Sequence, residues 1–445
     1  MTLIDMQSMQ KQLDKTETFI RSGRVTRASG LIIEASLPGV SMGTSCDIEV
    51  EGRDTVSAEV VGFSKSTALL MPVGDVQGIG EGARVVPRSF AAEIPVSEAL
   101  LGRVVDPSMT PIDDGFNIET RTLVPLSRTP PSAMQRRRIL EPMVTGVRAI
   151  DSMLTVGEGQ RMGIFAGAGV GKSSLLGTLA RSANADVIVV GLVGERGREV
   201  REFVERDLGP EGLARSVVVV ATGDAPPLVR VRAAQSATSV AEYFRARGRR
   251  VLLLLDSLTR VAMAQREIGL AAGEPPTSKG YPPSVFTTLP QLLERAGNDS
   301  GEGSMTAIYT VLVEGDDLSD PIADAARAIL DGHIVLSRKL AGSGHFPAID
   351  ILQSVSRVMG DVTASAHQQI ARVARETLAA YAESADLIEV GAYVSGSNPK
   401  VDRALQSIDA LNTFLRQMPG EQSSLEDTMI RLRSVFQGGA THAVH

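Results

Sequence analysis

Tryptophan is absent from this 445-residue chain, aromatic residues make up only 4% of it, and there is a single cysteine. Lone Cys46 can close no internal disulfide, and no cysteine cluster exists for a structural zinc, so a reducing compartment, the cytoplasm, is the natural setting. In a predicted β segment, Cys46 reads as a small core residue rather than a reactive thiol. Long apolar runs are missing too. The longest stretches, Val187–Val193 with one glycine and Val251–Leu255, are strand-length, well short of the roughly 20 residues a membrane-spanning helix needs. The first residues, Met1-Thr-Leu-Ile-Asp-Met-Gln, lack the basic and apolar regions of a secretory signal, so any membrane role is expected to run through partners. His333, His345, His367, His442 and His445 are scattered and give no metal-ligand spacing. What is present is ordinary for a globular chain: 43% apolar and 22% charged residues with a net charge of −7 exclude a mainly disordered, collagenous or coiled-coil protein.

The texture changes along the chain in a way that predicts a multidomain α/β protein. Residues 1–22 carry Leu3, Met6, Met9 and Leu13 at helical spacing, which reads as a fraying terminal helix or as a partner-docking one. Residues 23–96 hold short β-rich pieces, among them Gly30-Leu-Ile-Ile-Glu-Ala, Cys46-Asp-Ile-Glu-Val and Val56-Ser-Ala-Glu-Val-Val-Gly-Phe. Gly- or Pro-containing turns separate them, the pattern of a small β-barrel. Such barrels often bind nucleic acid, but residues 1–94 hold 9 basic against 12 acidic side chains, with Phe19, Phe63 and Phe90 as the aromatics. A base-stacking, phosphate-tracking groove is not expected there.

Residues 97–360 begin with a Pro-rich connector whose Arg136-Arg-Arg run reads as a solvated loop rather than a nucleic-acid patch. Strands then follow at Met162–Phe165, Asp186–Val193, Ser216–Ala221, Val251–Asp256, Thr306–Val313 and His333–Leu336. Amphipathic helices lie between them, such as Val200–Leu208 and Pro227–Arg247. Buried runs alternating with helices predict a mostly parallel sheet covered on both faces, with ligands at the strands' carboxyl ends. Residues 361–445 lose the strand pattern, and Ala364–Leu387, Lys400–Gln417 and Ser424–Phe436 predict a helical domain.

The strongest chemical signal is Ala166-Gly167-Ala168-Gly169-Val170-Gly171-Lys172-Ser173-Ser174, directly after a predicted strand and before a predicted helix. It departs from the phosphate-loop pattern only where Ala166 replaces glycine. Small residues let backbone N–H groups turn in on phosphate oxygens beside a helix N-terminus. Lys172 would reach the β- and γ-phosphates and Ser173 would offer a hydroxyl to Mg2+. A Gly-rich turn that binds nothing is the plain alternative; a dinucleotide site is the other, and the lysine suits a triphosphate better.

Asp256 ends the apolar strand Val251-Leu-Leu-Leu-Leu, where it reads as the Mg2+-shell carboxylate, partly through water, or as a strand-end cap. Glu195 and Arg196 follow the strand ending at Val193. They fit a water-polarising carboxylate and a phosphate-neutralising cation, or an exposed ion-pair loop.

These sites, in this order, resemble those of the catalytic subunits of rotary ATP synthases and their relatives. The similarity runs from about Gly23 to the C-terminus and covers a barrel, a RecA-like ATPase domain and a helical domain. Asp207-Leu-Gly-Pro-Glu-Gly, Gly273-Glu-Pro-Pro-Thr-Ser-Lys-Gly-Tyr-Pro-Pro-Ser-Val-Phe, Val313-Glu-Gly-Asp-Asp-Leu-Ser-Asp-Pro and Asp331-Gly-His-Ile-Val-Leu-Ser-Arg-Lys-Leu look most like the type III secretion ATPases, and the phosphate loop looks more like the flagellar branch than the injectisome one. The resemblance implies that Glu195 is the catalytic base, Arg196 a phosphate-contacting arginine, Arg357 the arginine finger and Phe346 the aromatic that packs on adenine. From the residues alone, Arg357 reads as an isolated cation and Phe346 as core.

The resemblance also implies ATP and Mg2+ as ligands, a homohexameric ring, a stator-like regulator at the N-terminus and a central coiled-coil protein. Export substrates or chaperones and an export gate at the inner membrane complete the expected partners, with no nucleic acid. Two rivals share the phosphate machinery: a hexameric nucleic-acid translocase, disfavoured by the acidic barrel, and a nucleotide-gated assembly scaffold.

Overall fold

The computed structural model describes residues 21–437 apart from 90, 91, 121, 314–316, 318 and 419. The helical pattern of Leu3, Met6, Met9 and Leu13 lies outside the described residues. Two compact units divide the chain, one built on residues up to 92 with 268–274, the other on 93–267 with 275 onward.

The first unit is a closed barrel of six antiparallel strands: β1 Gly23–Ser29, β2 Ile32–Ser36, β3 Ser45–Ile48, β4 Val56–Ser64, β5 Thr67–Pro72 and β6 Arg84–Ser89, in the order β1-β2-β5-β4-β3-β6. Alternation along each strand decides what points inward. In β3, Cys46 and Ile48 are buried while Ser45 and Asp47 are partly exposed, and the inward set joins Val25, Ile33, Ala35, Val60 and Leu70 in one core. Burial, then the neighbouring Asp47 and Glu59 carboxylates, push the Cys46 thiol up to about 11, so it stays protonated and inert, as its core reading requires.

The second unit is built on eight strands: β7 Arg103–Val105, β8 Arg161–Ala166, β9 Val187–Glu195, β10 Ser216–Thr222, β11 Arg250–Asp256, β12 Ser304–Leu312, β13 Gly332–Leu336 and β14 Ile349–Ser356. Their order is β14-β13-β8-β12-β11-β9-β10-β7. All neighbours are parallel except β14 on β13. The six predicted strands are all present, each within two residues of its expected ends. The two edge strands, β7 and β14, were not predicted. β7 is only three residues long and half of β14 is polar, so neither has the continuous apolar run that marks a strand covered on both faces.

Two segments differ from what their sequence suggests. The expected helix Val200–Leu208 is not one regular helix: α-helical Gly197–Glu202 passes into a π-helical turn at Phe203–Leu208 and then Gly209–Ala214. The wider turn buries Phe203 and Leu208 against the core, and Pro210 opens the next piece. The Arg136-Arg-Arg run is not simply a solvated loop. Arg136 donates to the Ala296 carbonyl (2.8 Å) and to the Glu294 carboxylate (3.0 Å), and Arg137 to the carbonyls of Asp299, Glu302 and Gly303. Two of the three arginines clasp the 294–303 backbone, while Arg137 and Arg138 keep exposed side chains.

Helices α1 Arg148–Met153, α2 Lys172–Ser182 and α3 Pro227–Arg245 cover this sheet, and α4 Ser365–Glu389, α5 Pro399–Leu415 and α6 Leu425–Gln437 follow it. Leu411, Phe414, Leu415, Met429 and Leu432 belong to the same apolar core as Ile150, Met153 and Ile164. At about 1.5–3 kcal/mol for each such side chain fully buried, the C-terminal helices are held mainly by shared core. Arg148 adds a polar clamp. Its buried guanidinium donates to the carbonyls of Phe414 (2.9 Å) and Arg416 and to the Glu421 carboxylate.

Candidate functional site

Strand β8 lies between β12 and β13, and its carboxyl end opens into residues 167–171 before α2 begins at Lys172. Gly169 and Gly171 take φ of +77° and +89°, conformations that favour glycine, and a Cβ on Gly171 would stand 3.4 Å from the Phe346 ring. Gly171 caps α2 without a side-chain acceptor, which leaves the first N–H groups of the helix open toward the loop. Val170 is buried and fixes the loop, whereas Ala168, Gly169, Ser173 and Ser174 are exposed.

Parallel register then brings the carboxylates to the lysine. Asp256 ends β11 opposite Leu192 of β9, and Glu195 ends β9 just past a bulge at Gly194. The Lys172 ammonium contacts the Asp256 carboxylate and lies 3.4 Å from Glu195 Oε1. The side chains keep 13% (Lys172), 13% (Glu195) and 5% (Asp256) of their surface exposed, so the three charges sit in a largely dry triangle. Thr310 of β12 donates its hydroxyl to Asp256 Oδ1 at 2.6 Å. Burial lifts the Glu195 carboxyl to about 7; the Lys172 charge works against this, while Asp256 and Glu199 add to it. Burial alone would lower the Lys172 ammonium, but Asp256 and then Glu195 outweigh it and hold the group above its ordinary value.

The other predicted residues are placed differently. Arg196 follows Glu195 but is exposed and lies 3.6 Å from Glu199. Arg357 is exposed beyond the end of β14. Its N–H donates to the Asp331 carbonyl and its guanidinium to the Arg327 carbonyl at 3.3 Å. Because Ser356 pairs with Gly332 at the amino end of β13, and Leu336 at the carboxyl end pairs with Ala166, Arg357 stands at the opposite end of the sheet from the phosphate loop. The separation along five strand residues is roughly 16 Å. The structure therefore brings Lys172, Glu195, Asp256 and the loop together, and does not bring Arg357 to them.

Phe346, 41% exposed, lines a pocket of about 260 Å3 with Gly171, Leu175, Pro347, Gln417 and Met418. Sequence reasoning missed Gln417 and Met418, which reach this pocket only through tertiary packing. It also missed Thr310, whose one signal is a hydroxyl inside the apolar run Ala307–Leu312. Arg260 was missed as well. Its stem packs on Gly194, next to Glu195, and its buried Nε has no hydrogen-bond partner among the described residues.

No three His, Cys, Asp or Glu side chains gather as a metal cluster among the described residues. The Ser173 hydroxyl at the start of α2 and the Asp256 and Glu195 carboxylates around Lys172 offer oxygen donors at this site. That sparse set fits Mg2+, which keeps several waters and is bound largely through substrate phosphates.

A phosphate loop at the end of a central parallel strand, with carboxylates at the ends of two others, defines a P-loop nucleoside triphosphatase. The family models agree in chain order: the ATP synthase alpha/beta family beta-barrel domain matches residues 25–88, its nucleotide-binding domain 146–356, and the T3SS EscN ATPase C-terminal domain 363–434. The chain is 50% identical over 431 residues to the flagellum-specific ATP synthase of Bacillus subtilis (strain 168), covering 96% of this chain and 98% of that one. It is 51% identical over 418 residues to the type 3 secretion system ATPase of Sinorhizobium fredii (strain NBRC 101917 / NGR234), covering 93% and 92%. The assembled ATPase EscN from the enteropathogenic E. coli type III secretion system superposes with a TM-score of 0.88 at 44% identity, over 93% of this chain and 100% of that one. The chain belongs to the flagellar and type III secretion ATPases of the ATP synthase alpha/beta family, and it is an ATPase.

Proposed function

We propose that this protein hydrolyses ATP with Mg2+ at sites completed between neighbouring copies in a ring, and that the reaction energises protein export through a flagellar type III secretion apparatus. The observation that carries the reading is the split placement of charge: Lys172, Glu195 and Asp256 at one end of the sheet and Arg357 at the other. An arginine roughly 16 Å along the strands from its own phosphate loop can serve a phosphate site only on another copy.

In this scheme backbone N–H groups of 167–174 hold the phosphates, and Lys172 leaves its carboxylate partners to neutralise them. Glu195 accepts a hydrogen bond from the attacking water and orients it, while Arg196 and a neighbour's Arg357 balance charge on the phosphoryl oxygens. Ser173 and Asp256 would hold Mg2+, partly through water, and the ion when bound would supply charge neutralisation to the phosphates. Phe346 packs on adenine.

EscN has been solved assembled, and also with its central stalk EscO; the latter matches this chain with a TM-score of 0.86 at 43% identity. These relatives support self-assembly and a central-stalk partner here, which we take to be a ring and a coiled-coil protein. A stator-like regulator at the N-terminus, export substrates or chaperones, and a gate at the membrane follow from the same membership. No helix among the described residues is long and apolar enough to cross a membrane, in keeping with a peripheral, cytoplasmic position. The order Ala-Gly-Ala-Gly-Val-Gly before Lys172 favours a flagellar system over an injectisome.

Mixing Lys172→Ala with Arg357→Ala protein tests the shared site. Each variant alone should be nearly inactive, since an arginine finger contributes on the order of 10³–10⁵ in rate. Random co-assembly should restore part of the activity, because some interfaces then join an intact phosphate loop to an intact arginine. No recovery, with subunit mixing shown independently, would sink the proposal.

A further inference from the structure

Gln417 ties three parts of the nucleotide-binding unit together. Its backbone N–H donates to the Phe346 carbonyl at 2.8 Å. Its side-chain amide donates to the Gly146 carbonyl (2.8 Å) and to the Glu421 carbonyl (2.7 Å). Its Oε1 accepts from the Arg148 N–H at 2.8 Å, capping the first residue of α1 from 269 positions away in sequence. The residue is buried, with 7% of its surface exposed, yet it lines the pocket beside Phe346 and Met418. Both amide hydrogens and the amide oxygen are therefore engaged inside the protein.

We propose that Gln417 is a positioning residue for the nucleotide base: it fixes the Phe346 backbone, the entrance of α1 and the α5–α6 turn relative to one another, and so sets the shape of the base pocket without reading the base edge. This rests on the reading of that pocket as the base site. Chemically, the pocket recognises a flat aromatic ring through apolar contact, and its shape depends on one amide whose hydrogen bonds all point away from the ligand. The phosphate loop is anchored separately, by β8 and α2. Loss of the Gln417 tie should therefore weaken the hold on the base and leave the hold on the phosphates.

Full-length Gln417→Leu tests this through ATP kinetics and inhibition by Mg-tripolyphosphate, which carries the phosphates but no base. KM for ATP should rise on the order of tenfold, the worth of about one net hydrogen bond, with kcat within about twofold and the tripolyphosphate inhibition constant unchanged. An unchanged KM, or equal weakening of ATP and tripolyphosphate, would overturn the proposal. Gln417→Glu guards against a folding failure. It keeps the acceptor for the Arg148 N–H but sets a carboxylate against two carbonyls, and it should show the same selective loss for ATP. Wild-type protein that binds neither ATP nor tripolyphosphate would instead overturn the ATP-site reading itself.

Discussion

Replacing Glu195 with glutamine should slow the enzyme and stabilise it, and the stabilisation should depend on pH. Burial, opposed by Lys172 and reinforced by Asp256 and Glu199, moves this carboxyl from its ordinary 4.5 to about 7 in the folded chain. Below 4.5 the group is neutral both folded and unfolded, so its full contribution to stability is present; as pH rises toward and through about 7 the unfolded state ionises first, and that contribution is lost. Glutamine mimics the neutral form at every pH and still offers an oxygen to the Lys172 ammonium. At 1.36 kcal/mol per pKa unit the upper bound is about 3 kcal/mol. The side chain keeps 13% of its surface open beside the lysine, and screening brings the expected gain to about 1–2 kcal/mol above pH 7.5. The assay is thermal unfolding of both proteins without nucleotide or Mg2+, from pH 5 to 8.5. The variant's Tm advantage should be small at pH 5 and grow to about 1–3 °C by pH 8, at about 1.4 °C per kcal/mol for a unit of roughly 345 residues. Over the same series, turnover should fall by about 10²–10⁴. A Tm difference that is flat with pH, or of the opposite sign at pH 8, would refute the buried-carboxyl reasoning. Undiminished hydrolysis would refute the base assignment.

Arg295→Ala should destabilise the nucleotide unit by about 3 kcal/mol in denaturant unfolding, because the Glu242 carboxylate that Arg295 meets at 2.8 and 2.9 Å, both side chains being 4% exposed, is left with the half-exposed Arg128 at 4.0 Å. Removing Glu242 as well, as Arg295→Met with Glu242→Leu, should recover much of that loss. A strain lacking the gene should lose swimming and extracellular flagellin if the export system is flagellar; normal motility would sink that assignment.

The parts of the site that could be read from sequence are those whose geometry is set within one strand and the turn after it. The phosphate loop is continuous from Ala166 to Ser174, and Asp256 and Glu195 each close a buried strand of a parallel sheet, whose carboxyl ends point one way. Neighbour choice is not local. Thr310 meets Asp256 only because β12 pairs with β11 in that register, and Gln417 meets Gly146 and Arg148 only because the C-terminal helices share a core with α1. The arginine run at 136–138 shows the same limit. Its charge is visible in sequence, but the carbonyls that Arg136 and Arg137 clasp are roughly 160 residues away along the chain.

Arg357 carries the sharpest lesson. A cation after an unremarkable stretch signals nothing by itself, and inside one chain it stands at the wrong end of the sheet to meet a phosphate. The antiparallel turn of β14 sends it there: a parallel strand in that place would end beside the phosphate loop, whereas β14 runs back and ends beside Gly332. Within one subunit this arrangement separates the arginine from the triphosphate it would serve. If that arginine acts on a neighbour, hydrolysis depends on how two subunits meet, and any partner that shifts the interface can set the rate without touching Lys172, Glu195 or Asp256. The Arg357 and Lys172 mixing experiment therefore tests more than one residue's role: it asks whether this strand reversal is what makes catalysis a property of the assembly.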